Sequence, residues 1–209
     1  MIRIFIFVMS MAHTFSLFAH PTSYKGSFAL MTYSQTWLKD YWMTYSFRSD
    51  MALAARYMRM EMPEGRMETY LPQLDVLVKR WNEKDFQANI YGYAGAGLMR
   101  FASTNGSAIL GAVETDVESR KYFALGKVEW MRPSDGPILR QYVLKLGIAP
   151  YEAEFNELAS WFMIQYQFHS ALLRKRALTP LIRLFYRNVL WETGMSLDGD
   201  LMVNLMFHF

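Results

Sequence analysis

The strongest constraint on this chain is a two-residue rhythm, cleanest in the ten residues 200–209. Leu201, Val203, Leu205, Phe207 and Phe209 fall on one side of an extended strand. Asp200, Asn204 and His208 fall on the other, with Met202 and Met206 between them. Side chains alternate across a strand, so this segment has one apolar and one largely polar face. Five large apolar groups on one edge suit hydrocarbon better than water, provided that every backbone group is paired in a closed sheet.

The same rhythm recurs along the chain, broken by turn chemistry. Tyr41, Met43, Tyr45 and Phe47 oppose Trp42, Thr44, Ser46 and Arg48; Met58, Met60 and Met62 oppose Tyr57, Arg59 and Glu61. The reading assigns the three methionines to lipid and the opposite face to the interior. Leu74, Val76 and Val78 oppose Gln73, Asp75 and Lys79, although Pro72 cannot donate to a ladder. Gly92, Gly95 and Gly97 alternate with tyrosine and alanine, as a sharply curved sheet needs. Runs at 108–117 and 121–131 form a hairpin; 138–149, 155–170 and 180–191 follow, the last read as one strand. Turns are marked by Pro63-Glu64-Gly65, Pro133-Ser134-Asp135-Gly136-Pro137 and Leu197-Asp198-Gly199. Eleven runs result. A barrel with both termini on one side needs an even number, so about 12 strands are expected, with 10 as the alternative.

At the other end, Arg3 precedes the apolar runs Ile4–Met11 and Phe15–Ala19. A basic start, a short apolar core and a small residue before a cut describe a secretory signal over residues 1–19, leaving the barrel over 20–209. Without Arg3, 21 basic residues face 19 acidic ones, since the full chain has 22 Lys+Arg and 19 Asp+Glu. Both signs are spread evenly, so nucleic acid is not an expected partner. There is no cysteine, which removes thiol catalysis, thiolate metal sites and disulfides.

Period-two runs also describe a soluble all-β sandwich or a lipocalin-like barrel. The export signal, the aromatic load and the closing strand ending in Phe209 favour the membrane. In these respects the sequence resembles bacterial outer-membrane β-barrel proteins, whose final strand alternates in this way and ends in phenylalanine. The resemblance implies a single closed antiparallel transmembrane barrel with short loops. It further implies membrane lipids and the barrel-assembly machinery as partners, with Phe207 and Phe209 as the assembly signal.

If the charged face is the lumen, it carries Arg59, Asp75, Lys79, Glu114, Lys127, Glu129, Lys145, Gln165, Gln167, Arg183 and Arg187, together with Arg48, Glu61 and Asp116. Mixed signs then either pair across a narrow barrel or line a water-filled pore for a small solute. No cofactor is expected. A copper-type metal site is the alternative, from thioether and imidazole donors: His169, Met202, Met206 and His208, with His20 as a possible amino-terminal ligand. A lipid hydrolase is a further alternative, but His169 and Ser170 are adjacent and point to opposite faces of a strand. The expected function is a small channel or structural membrane protein without enzymatic activity.

Overall fold

The computed structural model describes residues 22, 24–135, 137–154, 156–172 and 176–209. The expected signal over 1–19 and His20 lie outside the described residues. Twelve strands follow one another: β1 (Phe28–Gln35), β2 (Leu38–Arg48), β3 (Met51–Met62), β4 (Gly65–Asn82), β5 (Gln87–Phe101) and β6 (Thr104–Glu118), then β7 (Tyr122–Pro133), β8 (Leu139–Ile148), β9 (Ala159–His169), β10 (Arg176–Tyr186), β11 (Val189–Met195) and β12 (Leu201–His208). Each pairs antiparallel with its sequence neighbours, and β12 pairs with β1 to close the barrel. At the seam, Phe209 N donates to Phe28 O at 2.8 Å and Phe28 N to Phe209 O at 3.2 Å.

The missing twelfth strand hides inside the run at 180–191, which is two strands joined at Arg187-Asn188. Neither residue is glycine or proline. Arg187 takes a left-handed φ of 55°, a conformation that asparagine or glycine normally signals and arginine does not. The turn reverses the facing that follows it: Leu190 points inward, although it shares its spacing with outward-facing Ile182.

Prolines sit inside two strands and face outward, Pro72 on β4 and Pro180 on β10. Each has a glycine on the neighbouring strand, Gly95 beside Pro72 and Gly194 beside Pro180. A Cβ on Gly194 would collide with the Pro180 carbonyl and with Leu181. Glycine is what permits the backbones to approach where the ladder has lost a donor.

Leu144, Leu146, Ile164, Ile182, Leu53 and Leu201 are exposed on the outer wall, while the alternating positions are buried inside. Leu158, Phe162, Ile164, Tyr166 and Phe168 face out, whereas Gln165, Gln167 and His169 face in. Aromatic rows border the apolar band. Tyr41, Tyr57 and Tyr70 pair across β2, β3 and β4 near the end away from the termini, and Phe28 packs on Tyr45 at 4.8 Å near the terminal end. This belt matches the outer surface of a lipid-embedded barrel.

Two facings differ from the sequence reading. On β3, Met58 and Met60 are buried inside, while Tyr57, Arg59 and Glu61 face out. Arg56 shares the methionines' phase, and its ion pairs fix that face inward. On β4 a bulge between Leu77 and Lys79 shifts the register. Beyond it Lys79 turns outward and Arg80 inward.

Replacing Ile164 by Arg should cost about 2–4 kcal/mol, the penalty for a cation on the lipid face near mid-barrel. Urea unfolding of the barrel in phospholipid vesicles measures it. An unchanged midpoint would argue against lipid at Ile164.

The barrel interior as candidate functional site

Two charged networks occupy the interior. In the first, Arg56 on β3 donates to Asp40 on β2 at 2.9 and 2.7 Å. The same guanidinium donates to both oxygens of Glu129 at 3.0 Å. Glu129 lies on β7, four strands away, so this bidentate pair crosses the lumen rather than following the wall. Lys127 adds a contact to Glu129 at 3.3 Å and lies 4.9 Å above the Trp42 ring. Trp42 in turn donates to Asp40 at 2.8 Å. Burying such charges is tolerable because each meets an opposite one in hydrogen-bonding geometry.

The second network converges on Glu192 of β11. Its carboxylate accepts from Lys145 on β8 at 3.0 and 2.8 Å, Arg183 on β10 at 2.8 Å and Asn204 on β12 at 2.8 Å. Arg183 also stacks over Phe123 of β7 at 4.2 Å. Closer to the terminal end, Glu114, Asp116 and Glu118 follow one another along the inner face of β6. Asn89 donates to Asp116 at 2.7 Å and accepts from Arg80 at 2.6 Å.

The filling is lopsided. Leu38, Met58, Met60, Met67, Met99 and Met131 pack into an apolar layer inside β2 to β7 at the end away from the termini. Beyond this layer the interior keeps space, although Trp161, Met163, Leu181 and Met202 pack in a further cluster. A narrow cavity runs past Tyr33, Glu114, Lys127, Lys145, Glu192 and Gln167. A second, wider one opens at the end away from the termini between Trp37, His169, Gln167, Asp198 and Asp200. Gln167 lines both, and its Oε1 accepts from Gln35 Nε2 of β1 at 2.9 Å. This amide pair joins strands four apart, beside the inner cavity that Gln35 and Gln167 both line. At the terminal end, the connection from β8 to β9 buries Ala149 and Ala153. Arg120 holds that connection through Glu152 at 3.4 Å and Glu154 at 3.7 Å.

Of the lumen residues expected from the sequence, Asp75, Glu114, Asp116, Lys127, Glu129, Lys145, Gln165, Gln167 and Arg183 point inward. Four others do not. Arg59 and Glu61 face outward and pair with each other at 2.8 Å. Lys79 is exposed above the Trp81 ring after the bulge, and Arg187 stands in the β10–β11 turn. Arg48, at the end of β2, is exposed and pairs with Asp50 at 2.9 Å. Missed by the sequence reading were Asp40, Arg56, Arg80 and Glu192. Arg56 was detectable, since an arginine in phase with two methionines cannot share a lipid face with them cheaply.

The expected metal donors do not converge. His169, Met202, Met206 and His208 all lie on inward positions, but Met202 and His208 are six residues apart, about 20 Å along one strand. Met206 packs in the cluster with Met31 and Trp42, and Met202 in the one with Met163 and Trp161. His169 Nδ1 accepts from Ala171 N at 3.2 Å. Among the described residues no group of three or more histidine or acidic side chains is placed to hold an ion. The Ser170 hydroxyl accepts from Arg140 N at 2.8 Å and is not joined to His169.

Replacing Arg56 by Ala would leave Asp40 and the cross-lumen face of Glu129 without their shared cation. A buried pair broken on one side costs about 3–5 kcal/mol. The urea midpoint of the refolded barrel should fall accordingly, and an unaltered midpoint would mean that water already screens the pair.

No protein-family model matches the sequence, and no curated protein does either. Solved structures with a similar fold include the "KdgM porin in complex with disordered oligogalacturonate". Its TM-score is 0.51 at 10% identity, over 88% of this chain and 98% of that one. The "KdgM porin" alone gives 0.49 at 12% identity, over 88% of this chain and 99% of that one. OmpT, an outer membrane protein of Vibrio cholerae, gives 0.31 at 6% identity, over 88% of this chain and 96% of that one. This chain therefore has the fold of an outer-membrane β-barrel, a single closed antiparallel barrel of 12 strands.

Proposed function

We propose that this chain is an integral protein of the bacterial outer membrane that works as a narrow channel for small hydrophilic solutes rather than as an enzyme. One observation carries the reading: the inner cavity and the outer vestibule meet at Gln167 along an eccentric, polar path. The apolar belt supports the membrane setting, and with an even strand count both termini lie at the periplasmic end. A purely structural barrel would gain nothing from leaving polar space beside tightly packed layers.

The path carries mixed charge. Inward acids are Asp40, Asp75, Glu114, Asp116, Glu118, Glu129 and Glu192; inward bases are Arg56, Arg80, Lys127, Lys145 and Arg183. Seven acids against five bases do not suit a polyanion. For this chain the preferred solute is therefore neutral or cationic, in contrast to the oligogalacturonate named with the porin neighbour. The Gln35–Gln167 pair acts as the bar across the path.

Phe207 and Phe209 belong to the same proposal as the assembly signal. Both rings face outward beside the seam, where an aromatic suits the interface and a charge on the lipid side does not. Replacing Phe209 by Asp should lower the yield of heat-modifiable folded barrel several-fold, read by gel migration of membrane fractions; a full yield would remove Phe209 from the signal.

Single-channel recording in planar bilayers tests the channel. Replacing both Gln35 and Gln167 by Ala should raise the conductance at least twofold, while the unmodified barrel in a potassium chloride gradient should show a mild cation preference. Identical conductance for both proteins, or none for either, would refute this path.

A further inference from the structure

The outer wall away from the termini carries a basic band that takes no part in the lumen networks. Lys39 faces Arg59 across β2 and β3, Arg59 faces Glu68 on β4, and Glu68 faces Arg100 on β5. Two residues nearer mid-barrel on the same strands lies the row Tyr41, Tyr57, Tyr70 and Leu98. Arg140 on β8 faces Trp130 on β7, which makes Arg132 its diagonal neighbour. Arg176 begins β10 at the same end. Such aromatic rows mark the boundary between hydrocarbon and headgroups, so these cations stand at headgroup level.

The acids of this rim neutralise Arg59 and Arg66 but not the cations of β7, β8 and β10. Glu61 serves Arg59 and Arg66 at 2.8 and 3.0 Å, and Glu68 accepts from the Tyr57 hydroxyl at 3.2 Å. Asp135, nearest in sequence to Arg132, accepts from the Ser134 hydroxyl at 3.2 Å. Arg132, Arg140 and Arg176 have no ion-pair partner among the described residues. Diagonal neighbours on adjacent strands stand about 7–8 Å apart, close enough for two guanidiniums to share one anion and unfavourable without it. Below Lys39 and Arg59, the outer wall has a shallow apolar groove bounded by Leu30, Thr32, Tyr41, Met43, Ala55 and Tyr57.

We propose that this rim binds lipids whose headgroup carries a phosphomonoester, in the leaflet at the end away from the termini. Arg132 and Arg140 clamp one phosphate above Trp130. Lys39 holds another, whose acyl chain lies in the groove bounded by Tyr41 and Tyr57. The charge complementarity selects the phosphate, and the groove selects a lipid over free phosphate. This proposal rests on the barrel being embedded in the membrane as proposed above.

Native mass spectrometry of the whole barrel in neutral detergent provides the test, with dioleoyl phosphatidic acid and dioleoylglycerol as probes. These share their chains and differ in the phosphate. The barrel should retain phosphatidic acid at least tenfold more strongly, and added salt should weaken the difference. The double variant R132Q/R140Q should lose about tenfold of that retention, whereas K79Q/K121Q at the terminal end should keep it; heat-modifiable migration confirms that both fold. Equal retention of the two lipids by the unmodified barrel, or undiminished retention by R132Q/R140Q, would overturn the phosphate site. Bilayer conductance separates the two proposals, because R132Q/R140Q should conduct normally, and lipid retention without any conductance would strike the channel alone.

Discussion

A strand in hydrocarbon has no water to satisfy its N–H and C=O groups, and each unpaired group costs several kcal/mol. Everything in this molecule follows from that. The wall must be a closed ring of antiparallel strands, and closure depends on β12 finding β1 through Phe28 and Phe209. Once the ring is closed, alternation sends every second side chain to lipid and every other one inward. The polar residues then have nowhere to go but the lumen, where they must find one another. The Arg56–Glu129 bridge and the convergence on Glu192 are the result.

How far the sequence carried this is clearest residue by residue. The facing of β9 and β12 was legible, because there one face is uniformly apolar and the other holds amides or histidine. The facing of β3 was not. Methionine is at home in lipid and in a packed interior alike, so Met58 and Met60 gave no sign until Arg56 in the same phase is weighed. Two irregularities were invisible for another reason: a bulge at Leu77–Lys79 and a turn at Arg187-Asn188 each reverse the alternation without glycine or proline to announce it. Arg187 and Lys79 were misplaced by those reversals and by nothing else.

The interior networks were harder still. A period of two says which residues face inward but not which will meet, and the decisive contacts join strands three or four apart. Lys145 and Glu192 are 47 positions apart in sequence, and Arg56 and Glu129 are 73 apart. Only the curvature of the closed sheet brings them together. The expected copper donors failed for the converse reason: sharing a face of one strand is no guarantee of sharing a height.

The uneven packing of the lumen gives its inward positions different tolerances to change. Where methionine, tryptophan and tyrosine pack against one another, chiefly inside β2 to β7 but also around Trp161, Met163 and Met202, substitutions disturb packing before they disturb flow. Lys145 and Arg183 are held by Glu192 and tolerate no change of sign, whereas Gln35 and Gln167 border the cavity with only an amide hydrogen bond between them. The wall is thus a rigid frame with a few replaceable positions in its lining. Such a division lets permeation properties drift, or be redesigned, at those positions while the packed and paired ones keep the barrel closed.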